Sequence, residues 1–289
     1  RSLADIEAAF DMQVLTVLPK SRRPIVGRDR GEPAPAQPLR EPLRRLHTTL
    51  QLWDTFERDG RSAPRSILFV SPDAGDGKST LIADLALVQR EAGERVAIVE
   101  ADLRRPVQAK LLGIDGAHGL TDVLTGKLDI GEAMQRVQSV SPATTNSLSA
   151  GSAESVATVV QSHARGAVSV LVSGGIVANP PALLEGRTMA GLLRSVAEDF
   201  SYVLIDAPPP LAVSDVIPVL RMVDAIVIVA RVGHTRETSA QRLVQLLRQT
   251  SSAPVLGVVA NAVSSADLKA HGFSSTYSEQ HRRHNLIGR

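Results

Sequence analysis

Six short apolar runs set the rhythm of the chain: Ile67–Val70, Val96–Val99, Val168–Val172, Val203–Ile205, Ala225–Val229 and Val255–Val259. They are rich in Val and Ile, nearly continuous, and separated by helix-length segments. Strands of a parallel sheet covered on both faces carry that signature, because neither face of such a strand meets water. Between the runs, apolar residues recur at helical spacing and predict helices over Ser79–Glu91, Gly131–Val137, Pro181–Glu198 and Thr235–Arg248. The expected fold class is α/β: a doubly wound, mostly parallel sheet with helices on both faces, binding ligands at the carboxyl ends of its strands.

Upstream, Leu3–Phe10 reads as a short helix and Val14–Leu18 as a short strand ending at Pro19. Lys20, Arg22, Arg23, Arg28 and Arg30 follow, among Pro33, Pro35 and Pro38. A basic, proline-rich run cannot pack a core. It suits a solvated linker and a segment lying on anionic headgroups equally well. From Glu41 to Phe56, Leu43, Leu46, Leu50 and Trp53 fall at helical spacing, which leaves Glu41, Arg44 and Arg45 on the outer face. Ser141–Gly166 is rich in Ser, Ala and Thr and reads as an irregular excursion, with a helix near Ala153–His163. The expected organisation is a segment and linker over 1–39, one α/β domain over 40–263, and a polar tail over 264–289 that carries Tyr277.

Composition narrows the chemistry. With no cysteine among 289 residues, disulfides, thiolate metal sites and cysteine nucleophiles are excluded. The seven histidines do not fall at zinc-ligand spacing. A net charge of +2 implies no general affinity for nucleic acid. No apolar run approaches the ~20 residues that cross a bilayer. The chain opens at Arg1 without an initiator Met, as expected of a piece of something longer.

The sharpest local signal is SPDAGDGKST at 71–80, between the apolar run Ile67–Val70 and the helix that opens near Ser79. Strand, glycine-containing loop, Gly-Lys-Ser and helix is the layout of a phosphate-binding loop. Gly75 and Gly77 let backbone N–H groups of Ala74 through Thr80, Asp76 included, close around phosphate oxygens. Lys78 is placed to reach the outer phosphates, and the Ser79 hydroxyl to join a Mg²⁺ shell. Pro72 stands where the general pattern has glycine. Two further strand ends are acidic. Val96–Val99 runs into Glu100 and Asp102, and Val203–Ile205 into Asp206, the usual Walker B placement for a carboxylate that holds Mg²⁺.

With these motifs in order, the chain resembles the bacterial tyrosine kinases of capsule and exopolysaccharide export, relatives of the MinD/ParA ATPases with a P-loop NTPase fold. The resemblance rests on SPDAGDGKST, VEADLRRP at 99–106, ANPPALL at 178–184, YVLIDAPPP at 202–210 and VLGVVANAV at 255–263, and covers roughly Leu39 to Val263. Asp73 occupies the place of the signature lysine of the partitioning ATPases, as in the kinase branch. DIEAAFDMQVLTVLPKSRRP at 5–24 is similar to the cytoplasmic stretch after the second membrane helix of a polysaccharide chain-length regulator. EPLRRLHTTLQLW at 41–53 resembles the helix through which these kinases form rings, with His47 in place of an arginine.

The resemblance implies ATP and Mg²⁺ as cofactors, with Lys78 on phosphate and Ser79, Asp102 and Asp206 on the metal side of Walker A, A′ and B motifs. Glu100 stands where the family has aspartate, as the base toward tyrosine. Arg104 or Arg105 stabilises phosphoryl charge, Asn261 reads the adenine edge, and Tyr277 is the phosphoacceptor. It further implies a homo-oligomer at the cytoplasmic side of the plasma membrane, partnered by a membrane chain-length regulator. Three functions stay open: an autophosphorylating tyrosine kinase, a MinD/ParA-like ATPase switch, and a nucleotide-binding scaffold. Tyr277 is the single tail tyrosine where the family has a cluster, and reads as acceptor or as an unmodified residue.

Overall fold

A computed structural model describes residues 3–21, 35–56, 65–137 and 166–270. Eight strands form one sheet: β1 (Val14–Pro19), β2 (Ser66–Val70), β3 (Arg95–Glu100), β4 (Gln135–Arg136), β5 (Ala167–Leu171), β6 (Tyr202–Asp206), β7 (Ala225–Arg231) and β8 (Val255–Val263). Their order is β1-β8-β7-β2-β6-β3-β5-β4. Every pairing is parallel except that of the short edge strand β4 with β5. The doubly wound reading therefore holds.

Alternation along each strand splits the apolar residues between two cores. From β2, Leu68 and Val70 join Val203, Ile205, Ile226 and Ile228 on one face, while Ile67 and Phe69 join Val96, Ile98, Leu204 and Val227 on the other. The first face is covered by α1 (Leu3–Phe10), α8 (Arg187–Asp199) and α9 (Glu237–Thr250). The second is covered by α3 (Lys78–Glu91), which is itself overlaid by α2 (Gln37–Phe56). That sandwiching explains why α3 is apolar almost all round, with Leu81 through Val88 buried.

The six central strands fall where the apolar runs predict them. The expected helix over Gly131–Val137 does not form: α6 spans only Ile130–Ala133, and Met134 turns extended so that Gln135 and Arg136 pair with Val170 and Ser169. The expected helix over Pro181–Glu198 is two, α7 (Pro180–Leu184) and α8, with Gly186 extended between them. Three short α-helices, α4 (Gln108–Leu112), α5 (Leu120–Leu124) and α10 (Ser265–Ala270), and two 3-10 turns, Ser214–Val216 and Val219–Arg221, complete the described residues. The excursion at 141–165 and Tyr277 lie outside the described residues.

Sequence reading sets residues 1–39 apart from the domain, yet the sheet takes an edge strand from that segment. β1 pairs with β8, and Leu3, Ile6, Phe10 and Val17 are buried in the first core. α2 docks as its spacing predicts, through Leu43, Leu46 and Leu50. His47, expected on the assembly face, is 5 % exposed and meets the Tyr202 ring edge-on at 5.7 Å. The polar residues of α2 engage this same chain: Arg40 forks onto Glu91 at 2.8 and 2.9 Å, and Arg45 pairs with Glu41.

Candidate nucleotide site

The strand order β8-β7-β2-β6-β3-β5 lines up, at one edge of the sheet, Asn261, Arg231, the loop at 71–80, Asp206, Asp102 and Ser173. Asp206 registers with Phe69 on one side and Glu100 on the other, and its carbonyl accepts from the N–H groups of Ala101 and Asp102 at 2.7 and 3.1 Å. Loop, Asp206 and Asp102, which are far apart in sequence, thus converge.

The loop is held in shape from outside. Gly77 caps the start of α3 at φ 96°, and a Cβ there would sit 2.2 Å from Asn261 Nδ2. Only glycine fits that combination of left-handed backbone and close approach. Asn261 donates to the Asp76 carbonyl at 2.7 Å and accepts from Ala262 N–H at 2.8 Å. Both ends of its amide therefore brace the loop and its own strand, which gives Asn261 a structural task. Arg231, at the end of β7, donates to Gly75 O at 3.0 Å.

Asp76 is fully buried beneath the loop. Oδ2 accepts from Asp73 N–H, and Oδ1 from the Thr235 hydroxyl, with His234 Nδ1 2.9 Å away. Burial pushes its carboxyl above the ordinary range, and the bonds from His234, Asp73 and Thr235 counteract this. Sequence reading assigns Asp76 to the phosphate cradle through its backbone; its side chain locks the cradle to the segment after β7.

Lys78 is buried, with Nζ 3.0 Å from Ser71 Oγ. Burial lowers its pKa, and Asp206, Asp102 and Asp76 pull the other way. Asp206 is raised by burial, opposed first by the Ser79 hydroxyl, then by Gln108 and Lys78. Its Oδ2 accepts from Gln108 Nε2 at 2.8 Å, while Oδ1 is buried without a hydrogen-bond partner. A buried orphan oxygen on a carboxylate, beside a serine hydroxyl and a buried ammonium, suits a hydrated Mg²⁺ and phosphate oxygens. The residues present fit Mg²⁺-nucleotide.

The two acidic residues after β3 part company. Glu100 turns inward: Oε1 accepts from Val107 and Gln108 N–H at 2.5 and 2.7 Å, and Oε2 from Ser173 N–H at 3.0 Å. Burial raises its pKa, offset in part by those three bonds. The longer arm of glutamate is spent on tying the β3 and β5 strand ends together, which corrects its assignment as the base. Asp102 stays half-exposed, its Oδ1 accepting from the N–H groups of Arg104 and Arg105 at 3.2 and 3.0 Å. Arg104, expected at the phosphoryl group, instead forks onto Asp215 at 2.5 and 3.0 Å. Arg105 is exposed.

Gln108 escapes sequence reading. It is fully buried and donates both to Ser79 O at 3.0 Å and to Asp206 Oδ2. By occupying Oδ2, it leaves Oδ1 as the oxygen open to a cation. Its one legible signal is an uncharged polar residue two positions after ADLRRP.

With the geometry in place, comparisons locate the chain among known proteins. The ParA family model, described as NUBPL iron-transfer P-loop NTPase, matches residues 63–285. The tyrosine-protein kinase YwqD of Bacillus subtilis is 28% identical over 212 residues, which cover 73% of this chain and 78% of that one. The tyrosine-protein kinase etk of Escherichia coli K12 is 28% identical over 229 residues, 79% of this chain but 27% of its own length. The chain thus spans about a quarter of the longer relatives. The solved kinase domain of the E. coli kinase ETK superposes with a TM-score of 0.72 over 90% of this chain and 94% of that one, at 24% identity, and shares its fold.

Proposed function

Since this chain belongs to the ParA family of P-loop NTPases, matched over residues 63–285, we propose that it is an ATP- and Mg²⁺-dependent protein-tyrosine autokinase serving polysaccharide polymerisation and export. The observation that carries the reading is the orphaned Asp206 Oδ1, set beside the buried Lys78 and the Ser79 hydroxyl at the mouth of a phosphate loop. The choice of tyrosine kinase within the family is supported by the relatives named as such.

In this reading Ala74 through Thr80 cradle the phosphates with backbone N–H groups, and Lys78 neutralises the outer ones. Ser79 and Asp206 hold Mg²⁺, which when bound draws charge from the transferring phosphoryl group. Asp102, half-exposed at the mouth, orients the metal shell and takes the proton of the attacking tyrosine hydroxyl; Arg105 faces the developing charge. In this reading the partner is a membrane chain-length regulator, in the same chain or in trans, and the site of action is the cytoplasmic face of the plasma membrane; the resemblance of residues 5–24 to the stretch after a regulator's membrane helix supports both. Among the described residues, no helix is long and apolar enough to cross a membrane.

One observation favours a second reading, a nucleotide switch without tyrosine transfer. Of two tyrosines, Tyr202 opens the interior strand β6 and packs on His47, which leaves Tyr277 as the acceptor. Mass spectrometry after incubation with Mg-ATP, with Lys78→Met as blank, decides between them. The kinase reading expects phosphate on Tyr277, lost in Lys78→Met. Phosphate release that continues in Tyr277→Phe, with no phosphotyrosine at any concentration of the wild type, establishes the switch instead.

A further inference from the structure

Asp215 is a buried charge beside the site that the scheme above leaves unused. It sits in the single turn Ser214–Val216, on the segment that continues from Asp206, and its side chain is 2% exposed. Its two oxygens receive Arg104 Nε at 2.5 Å and Nη2 at 3.0 Å. A planar guanidinium gripped at two points has its direction fixed as well as its position. The backbone of the same arginine, together with that of Arg105, donates to Asp102 Oδ1. Arg104 therefore joins a buried anion that follows β6 to the half-exposed carboxylate that follows β3. Those are the two strands that deliver Asp206 and Asp102. Moving the guanidinium to a phosphoryl oxygen strands the Asp215 charge in the interior, at a cost typical of a broken buried pair.

We propose that Asp215 is a positioning residue of the nucleotide site: it anchors Arg104, and through the Arg104 backbone sets Asp102 against Asp206. Arg104 is then a strut, and the distance between the two site carboxylates depends on it. The inference rests on the Mg²⁺-nucleotide reading of the loop. It adds a residue that touches neither nucleotide nor metal and still governs how they are held.

The test is calorimetric titration of the full chain with ADP, with and without Mg²⁺, alongside thermal melting. Asp215→Ala and Arg104→Ala are each expected to weaken the Mg²⁺-dependent part of ADP binding by about 10- to 100-fold, the range for partners that orient metal ligands. The double variant is expected to lose no more than either single one, because both remove the same strut. Arg104→Lys, which keeps the charge and loses the fork, is expected to recover part of the loss. ADP affinity without Mg²⁺ should stay within about twofold, since no residue of the loop at 71–80 bonds to the Arg104 or Asp215 side chain. Should Asp215→Ala fail to fold, Asp215→Asn keeps the side-chain shape and carries the same expectation. Losses that multiply in the double variant, or an Arg104→Ala effect with Asp215→Ala silent, place Arg104 on the phosphoryl group and overturn the proposal. Lower melting temperatures with unchanged Mg²⁺ dependence reduce the pair to a fold contact and overturn it too. Wild-type protein that binds no Mg-ADP defeats the proposed function and this inference together; wild type that binds while the Asp215 variants bind equally defeats this inference alone.

Discussion

At the scale of single residues, Lys78 makes the most testable link between burial and function. Its ammonium is held among buried groups, and burial lowers its pKa below the ordinary 10.5. The lowered value means that the folded protein without nucleotide loses this proton at lower pH than the unfolded chain does. Stability therefore rises with pH across the window between the two values, where the unfolded chain binds more protons. Phosphate anions at Nζ act in the opposite direction and restore the charge. Just above the lowered pKa nucleotide binding is expected to take up protons, and affinity to fall as pH climbs through it. Calorimetry in two buffers of different ionisation enthalpy reads the uptake directly; its absence in the wild type, or its persistence in Lys78→Met, contradicts the assignment. The loop itself was legible in sequence because each of its positions demands a residue type for a local reason. Gln108 and Asp215 were not, because their partners Asp206 and Arg104 lie 98 and 111 residues away. Only the folded sheet brings them within reach. Glu100 was legible as a charge and misread as a base, since nothing in VEADLRRP reveals the three N–H groups that surround its carboxylate.

At the scale of elements, the interior strands could be read from short apolar runs rich in Val and Ile, because a strand buried on both faces has no polar side and is too short for a helix. Edges obey other rules. Gln135 and Arg136 form β4 only because β5 offers an open edge, and no periodicity in two residues announces that. At the opposite edge, β8 accepts β1 through a close backbone approach at Gly257. Its φ is 148°, and a Cβ there would lie 2.6 Å from Gln13 O and 2.8 Å from a Leu15 methyl. Val258 N–H donates to that same Gln13 carbonyl at 2.9 Å. A β-branched side chain suits most strand positions, yet Gly257→Val is expected to prise β1 from β8 here. The expected loss is about 1–3 kcal/mol, in line with overpacking of a tight contact. Hydrogen exchange should locate it: faster exchange in β1 and the outer part of β8, with β2, β6 and β3 protected as before. Uniform protection throughout the sheet would show that the contact relaxes at no cost.

At the scale of the molecule, the question is where the domain begins. Sequence reading separates residues 1–39 from the α/β unit because a basic, proline-rich run interrupts the chain after Pro19. On that basis removal of residues 1–20 is harmless. The structure argues the reverse. Leu3, Ile6, Phe10, Val17 and Leu18 are all buried, the first four against the same core as α8 and α9. Each such side chain contributes about 1.5–3 kcal/mol when fully buried. Five together rival the ~5–15 kcal/mol that hold a typical domain folded. Deletion also uncovers the length of β8, leaving its unpaired N–H and carbonyl groups as an open template for another strand. The braces on the nucleotide loop come from β8 and β7, through Asn261 and Arg231, so damage at the edge travels inward to the site. A chain lacking residues 1–20 is therefore expected to aggregate or to melt far below the full chain. Any fraction recovered folded should bind Mg-ADP more weakly, although no deleted residue touches the loop. Equal melting temperature and equal ADP affinity, compared side by side, would restore the boundary to residue 39 and make the first helix and strand an accessory.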